Sequence, residues 1–79
     1  MPNEEKLKMI FSESLSIPMN DVVDNLEYNT IHSWDSLGHM VLVAKIEDAF
    51  DVMMETDDII DMSSFSKAKE ILFKEGIHF

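Results

Sequence analysis

The segment Ser33-Trp34-Asp35-Ser36-Leu37-Gly38-His39-Met40 places a carboxylate, a hydroxyl and an imidazole within five residues. Nucleophilic hydrolysis uses those three side chains: the serine attacks, the histidine takes its proton and the aspartate orients the histidine. The spacing argues against that use. Asp35 and Ser36 are neighbours at a helix start, where the aspartate oxygen is wanted by backbone N–H groups of the next turn. His39 lies one turn beyond Ser36 but leans toward the core stripe of the same helix, so it reads as a partly buried, hydrogen-bonded histidine at the mouth of the core. A nucleophile elbow carries glycines on both sides of its serine, as in G-x-S-x-G, whereas Trp34 and Gly38 occupy those positions here. Backbone N–H groups at a helix start are unsatisfied and the helix dipole is positive there, so a phosphodiester on Ser36 would be electrostatically welcome. The position suits a serine that is modified.

The elements that must hold this segment are helical. Only two glycines and two prolines interrupt 79 residues, and β-branched alternation is scarce. A first helix is expected to open with Asn3 as N-cap, followed by Glu4 and Glu5 at the positive end of the dipole. Leu7, Ile10, Phe11 and Leu15 form its core stripe, and Ile17-Pro18 stops it. From Ser16 to Asp35 the apolar residues are scattered: Val22, Val23, Leu26, Tyr28 and Ile31. A connection of that length either holds a short helix or packs by those anchors, and such loops are often functional. A second helix is expected from Ser36 to about Asp51 with Asp35 as N-cap, a short third one from Asp57 to Asp61 capped by Thr56, and a last one capped by Ser64. In that last helix Phe65, Ala68, Ile71 and Leu72 face inward and Gly76 supplies the stop. The expected fold is all-α, a single domain over residues 1–79 with three main helices, one short helix and a long loop between the first and second.

Composition narrows the function classes. Sixteen acidic residues against six basic ones give a formal charge of −10, which opposes contacts with phosphate backbones and attraction to anionic lipid. Nucleic acid and membrane insertion are not expected. The same field would steer the chain toward basic protein surfaces, although acidity also serves plain solubility. The absence of cysteine removes disulfides and thiolate metal sites. No apolar run approaches the ~20 residues of a bilayer span, and residues 1–10 lack the pattern of a signal peptide. A monomer in the cytoplasm is the expectation. The acids from Asp51 to Asp61 raise calcium binding as an option, but they lack the alternating oxygen ligands and central glycine of an EF-hand loop.

The second helix has two faces. Leu42, Val43, Ile46, Ala49 and Phe50 fall on one side and form the core stripe. Leu37, Met40, Val41 and Ala44 fall on the other, flanked by Glu47, Asp48 and Asp51. An apolar strip rimmed by carboxylates suits a docking surface, with burial supplying affinity and charge supplying register; cover by the short third helix is the other reading. Among the seven methionines, Met40, Met53, Met54 and Met62 could line an adaptable cavity or serve ordinary core packing. Trp34 either touches a group on Ser36 or pins the end of the long loop to the bundle.

At Asp35-Ser36-Leu37 the chain resembles the acyl carrier protein family. The resemblance runs over nearly the whole sequence: an opening helix, a long loop, D-S-L at the start of the second helix, then "LVAKIEDAFDV" and "TDDIIDMSSFSKAKEIL". A lone D-S-L recurs by chance, whereas D-S-L with this length, acidity and helix pattern is specific. The resemblance implies that Ser36 carries a 4′-phosphopantetheine arm, transferred from coenzyme A by a magnesium-dependent phosphopantetheinyl transferase, and that the arm's thiol holds acyl or aminoacyl groups as thioesters. It implies a non-catalytic carrier whose partners are the transferase, an acyl- or aminoacyl-loading ligase and downstream transferases or synthases. Asp35 and Leu37 would flank the attachment site, and Leu37, Met40, Val41, Ala44, Glu47 and Asp48 would form the partner-recognition face. Ser33-Trp34 ahead of the motif, Gly38 and Val41 at positions where acids are common, and Lys45 within the face depart from the housekeeping fatty-acid carriers. The W-D-S-L-G-H form is similar to free-standing carriers of specialised pathways. An unmodified helical interaction module using the same surface is the alternative.

Overall fold

The computed structural model describes residues 1–79 and is all-helical. Helix α1 spans Asn3–Leu15, a single 3₁₀ turn spans Met19–Asp21, and α2, α3 and α4 span Ser36–Phe50, Thr56–Asp61 and Phe65–Lys74. There is no strand, only an isolated antiparallel bridge between Glu27 and Ser64. No helix is long and apolar enough to cross a membrane.

The core comprises 17 buried residues, every one hydrophobic, drawn from α1, α2 and α4, from the long loop, and from Met54 and Met62 on either side of α3, which itself buries none. The expected stripes supply it: Leu7, Ile10, Phe11 and Leu15 from α1; Leu42, Val43, Ile46 and Phe50 from α2; Phe65, Ala68, Ile71 and Leu72 from α4. Ala49 is half-buried against that core. Helical periodicity places each set on one face, and burial of that face rather than intrinsic propensity holds helices of 6 to 15 residues together.

Two helix starts differ from expectation. Asn3 is not the cap of α1. Pro2 takes that place with an extended backbone, its carbonyl accepting from Lys6 N at 3.0 Å, while the Asn3 amide donates to the carbonyl of His78 at 2.9 Å and ties the two chain ends together. Thr56 likewise lies inside α3, with Glu55 in the cap position and no side-chain capping bond. The other two starts follow the sequence: Asp35 and Ser64 each accept from the backbone N–H three residues on, Gly38 N at 2.8 Å and Lys67 N at 2.9 Å.

The long loop combines both expected solutions, a short helical turn and apolar anchors. Val22, Leu26 and Trp34 are buried and Ile17 and Ile31 pack against the core, but Val23 and Tyr28 remain exposed and are not core anchors. Trp34 meets Phe11 edge-on at 5.4 Å, and Phe11 meets Phe65 the same way at 5.0 Å, so one aromatic chain joins loop, α1 and α4. The backbone is tied as well: Tyr28 N donates to Ser63 O, Phe65 N to Leu26 O and Ser66 N to Asp24 O. Lys69 adds an ion pair to Asp24 at 2.8 Å and a longer one to Glu4 at 3.7 Å. The hydrogen bond from Lys69 to Asp24 leads the causes that raise the lysine's pKa above its ordinary value.

Candidate functional site

The site is built at the junction of the long loop and α2. Asp35 is extended, with its carboxylate on Gly38 N and its carbonyl on His39 N. That commits Asp35 to capping and leaves Ser36 as the first helical residue, exposed to solvent. The backbone N–H groups of Ser36 and Leu37 have no partner within the chain, which is the donor arrangement that favours an anion beside them.

A side chain at position 38 is excluded by geometry. A Cβ built on Gly38 would lie 2.1 Å from the Ser33 carbonyl oxygen, so the loop reaches the first turn of α2 only because residue 38 has none. Sequence reading missed this role. Its one local signal was a glycine inside a helix, which costs about 1 kcal/mol relative to alanine and asks for a reason.

His39 is half-buried and both ring nitrogens are engaged away from Ser36. The Trp34 indole N–H donates to Nδ1 at 2.9 Å. An indole nitrogen can only donate, so Nδ1 accepts and the proton sits on Nε2, which donates to the carbonyl of Ile59 at 2.7 Å. His39 therefore links the loop, α2 and α3, and no acid–histidine–serine relay forms. Trp34 is fully buried and pins the loop end. The Ser36 hydroxyl has a different neighbour: the hydroxyl of Tyr28, 3.2 Å away.

Beside Ser36 opens an apolar cleft of about 330 Å³ between the start of α2 and α3. Tyr28, Ser36, His39 and Met40 line one side, and Ile59, Ile60, Met62 and Ser63 the other. Of the methionines singled out in the sequence, Met40 and Met62 reach the cleft. Met54 belongs to the core and Met53 is exposed, and neither lines it.

The outward face of α2 is open. Leu37 is 75% exposed and Met40 58%, and Val41, Ala44 and Asp48 are exposed as well. Helix α3 borders this strip without covering it, and adds Ile60, 73% exposed, on the far side of the cleft. Glu47 is placed differently from the rest of the expected face. It is half-buried, and its carboxylate accepts from Met54 N at 2.9 Å, fastening the segment after α2 to the helix.

A second, polar cleft gathers Glu55, Asp57, Asp58, Asp61 and Glu75 around Lys74. Lys74 pairs with Asp58 at 2.9 Å, and that hydrogen bond raises its pKa. No three His, Asp or Glu side chains converge so as to hold a metal ion. No protein-family model matches the chain, and no curated protein matches it either.

Proposed function

We propose that this chain is an acyl carrier protein in which Ser36 bears a covalent 4′-phosphopantetheine arm. One observation carries the reading: the D-S-L serine stands exposed on the first turn of α2, its backbone amides free, with no base directed at its hydroxyl and an apolar cleft beside it. The four helices would then form a carrier-like bundle around that serine. In attachment, Ser36 Oγ bonds to phosphorus as the pyrophosphate linkage of coenzyme A breaks and the adenosine bisphosphate portion leaves. The serine proton passes to a base on the transferase, since His39 is turned away.

Once attached, the arm supplies the thiol that this cysteine-free chain lacks, and holds acyl or aminoacyl cargo as a thioester. Asp35 keeps the first turn in register through its cap, and the free amides of Ser36 and Leu37 favour the phosphodiester charge. The exposed strip of Leu37, Met40, Val41 and Ala44, with Asp48 at its acidic end, is the surface offered to the transferase, the loading ligase and later enzymes. The departures around the motif favour a specialised pathway over bulk fatty-acid synthesis.

The test is the intact mass of the protein after incubation with coenzyme A, magnesium and a broad-specificity phosphopantetheinyl transferase, with the modified peptide mapped. A gain of one phosphopantetheine on Ser36, abolished in Ser36→Ala with the helical spectrum unchanged, supports the assignment. A retained gain in Ser36→Ala overturns the site. No gain in the wild type, with a transferase active on a control carrier, favours the second reading, an unmodified helical interaction module, since the exposed strip on α2 needs no prosthetic group to bind a partner.

A further inference from the structure

Tyr28 is the chain's single tyrosine, and its phenol is fixed from three directions. Its backbone N–H donates to Ser63 O at 2.8 Å, beside the Glu27–Ser64 bridge, so the residue is tied to the segment that follows α3. Its ring stands edge-on to Trp34 at 6.1 Å and to His39 at 5.4 Å, and both of those rings are themselves held by the indole–imidazole–Ile59 relay. Its hydroxyl reaches the Ser36 oxygen at 3.2 Å, and the same side chain forms a wall of the apolar cleft. A loop tyrosine serving only as an anchor would be buried by its ring. Tyr28 is instead 36% exposed, and its hydroxyl is directed at the one hydroxyl on which the proposed function depends.

Hydrogen-bond chemistry gives that contact a direction. Between two free hydroxyls either oxygen can donate. Once Ser36 Oγ is esterified it has no proton, so only Tyr28 can donate, and the strong acceptors beside it become the non-bridging oxygens of the diester, which carry its negative charge. We propose that Tyr28 is a positioning residue for the group on Ser36: it orients the free serine hydroxyl and, after modification, donates to the phosphodiester and holds the first link of the arm at the mouth of the cleft. This inference rests on the carrier reading above.

Its test reads the phenol and the phosphorus directly. With tyrosine labelled at Cζ, the chain gives one carbon resonance, recorded in the wild type before and after phosphopantetheinylation. In parallel, the phosphorus resonance of the modified wild type is compared with that of modified Tyr28→Phe, which keeps the ring contacts and removes the hydroxyl. The expected result is a displaced Cζ resonance on modification and a displaced phosphorus resonance in the variant. A Cζ resonance unmoved by modification overturns the proposal, and this measurement needs no variant to fold. Phosphorus signals that coincide in wild type and variant also overturn it, while leaving the carrier reading intact. A wild type that gains no mass with a transferase active on a control carrier overturns the carrier reading, and the role of Tyr28 with it.

Discussion

At Gly38 a single hydrogen in place of a side chain decides how the loop meets the helix. Intrinsic propensity alone would favour alanine there by about 1 kcal/mol, yet the new methyl would be driven against the Ser33 carbonyl, 2.1 Å away and part of the backbone. Backbone cannot rotate aside as a flexible side chain can, so Gly38→Ala is expected to destabilise the fold by roughly 1–3 kcal/mol despite its better propensity. Urea unfolding with an unchanged m-value would read that loss, and a neutral or stabilising result would mean that the Ser33 carbonyl yields. Lys69 makes a pH-dependent prediction. Its pKa is raised in the folded chain, chiefly by the hydrogen bond to Asp24, so folding binds its proton more tightly than the unfolded chain does. The stabilisation is fully present below the ordinary value of 10.5 and is lost as pH rises through the elevated folded value. The stability difference between wild type and Lys69→Met, measured by denaturant unfolding, should therefore hold from neutral pH to about that value and shrink above it. A difference that is flat through the alkaline range would show that Lys69 does not act through its charge, neither through the ion pair to Asp24 nor through its ammonium 5.1 Å from the Phe65 ring.

Among the elements, three helices end by the same device with different residues. After α1, α2 and α4 the chain turns left-handed at Ser16, Asp51 and Gly76, and a 6→1 bond closes each end: Ile17 N to Ser12 O, Val52 N to Glu47 O and Ile77 N to Leu72 O. Only Gly76 adopts its φ of 94° without a Cβ penalty. Ser16, at φ 56° and exposed, is expected to carry a cost of about 1–2 kcal/mol. Ser16→Gly should therefore raise stability by about 0.5–1 kcal/mol after the extra unfolded-state entropy of glycine is subtracted, a few degrees in Tm for a chain of this size; a lowered Tm would place the Ser16 side chain in a stabilising role. The inner stripes of α1, α2 and α4 were legible in the sequence because helical periodicity is local, and so were the Asp35 and Ser64 caps, whose bonds close within four residues. Asn3 and Thr56 misled for the converse reason. Asn3 spends its amide on His78, 75 residues away in the chain, and cap propensity carries no record of such a contact. The contact between Tyr28 and Ser36 was equally hidden, since the irregular loop between them has no period from which a side-chain direction can be read.

For the molecule as a whole, a charge of −10 acts over distances that no single contact covers, and a partner would meet it first through the carboxylates beside the apolar strip. The structure separates two acids that the sequence grouped. Asp48 is exposed and its carboxylate makes no hydrogen bond or ion pair within the chain, whereas Glu47 serves the fold by accepting from Met54 N. Reversing both at once would confound docking with folding. Asp48→Lys should leave Tm nearly unchanged and slow processing by a partner enzyme with a basic face. The slowing should be largest at low ionic strength and fade as salt shortens the screening length from about 30 Å at 0.01 M to about 10 Å at 0.1 M. Glu47→Lys should behave in the opposite way. It strips the partly buried Met54 N–H of its acceptor, at a cost of about 1–3 kcal/mol, so it lowers stability at every salt concentration. Rates of partner-catalysed loading for Asp48→Lys, measured across ionic strength alongside thermal unfolding of both variants, separate the two roles. A salt-independent rate for Asp48→Lys equal to that of the wild type would remove Asp48 from the proposed docking face and leave recognition, on that reading, to the apolar residues Leu37, Met40 and Val41. Partner affinity would then follow their burial and hardly respond to salt.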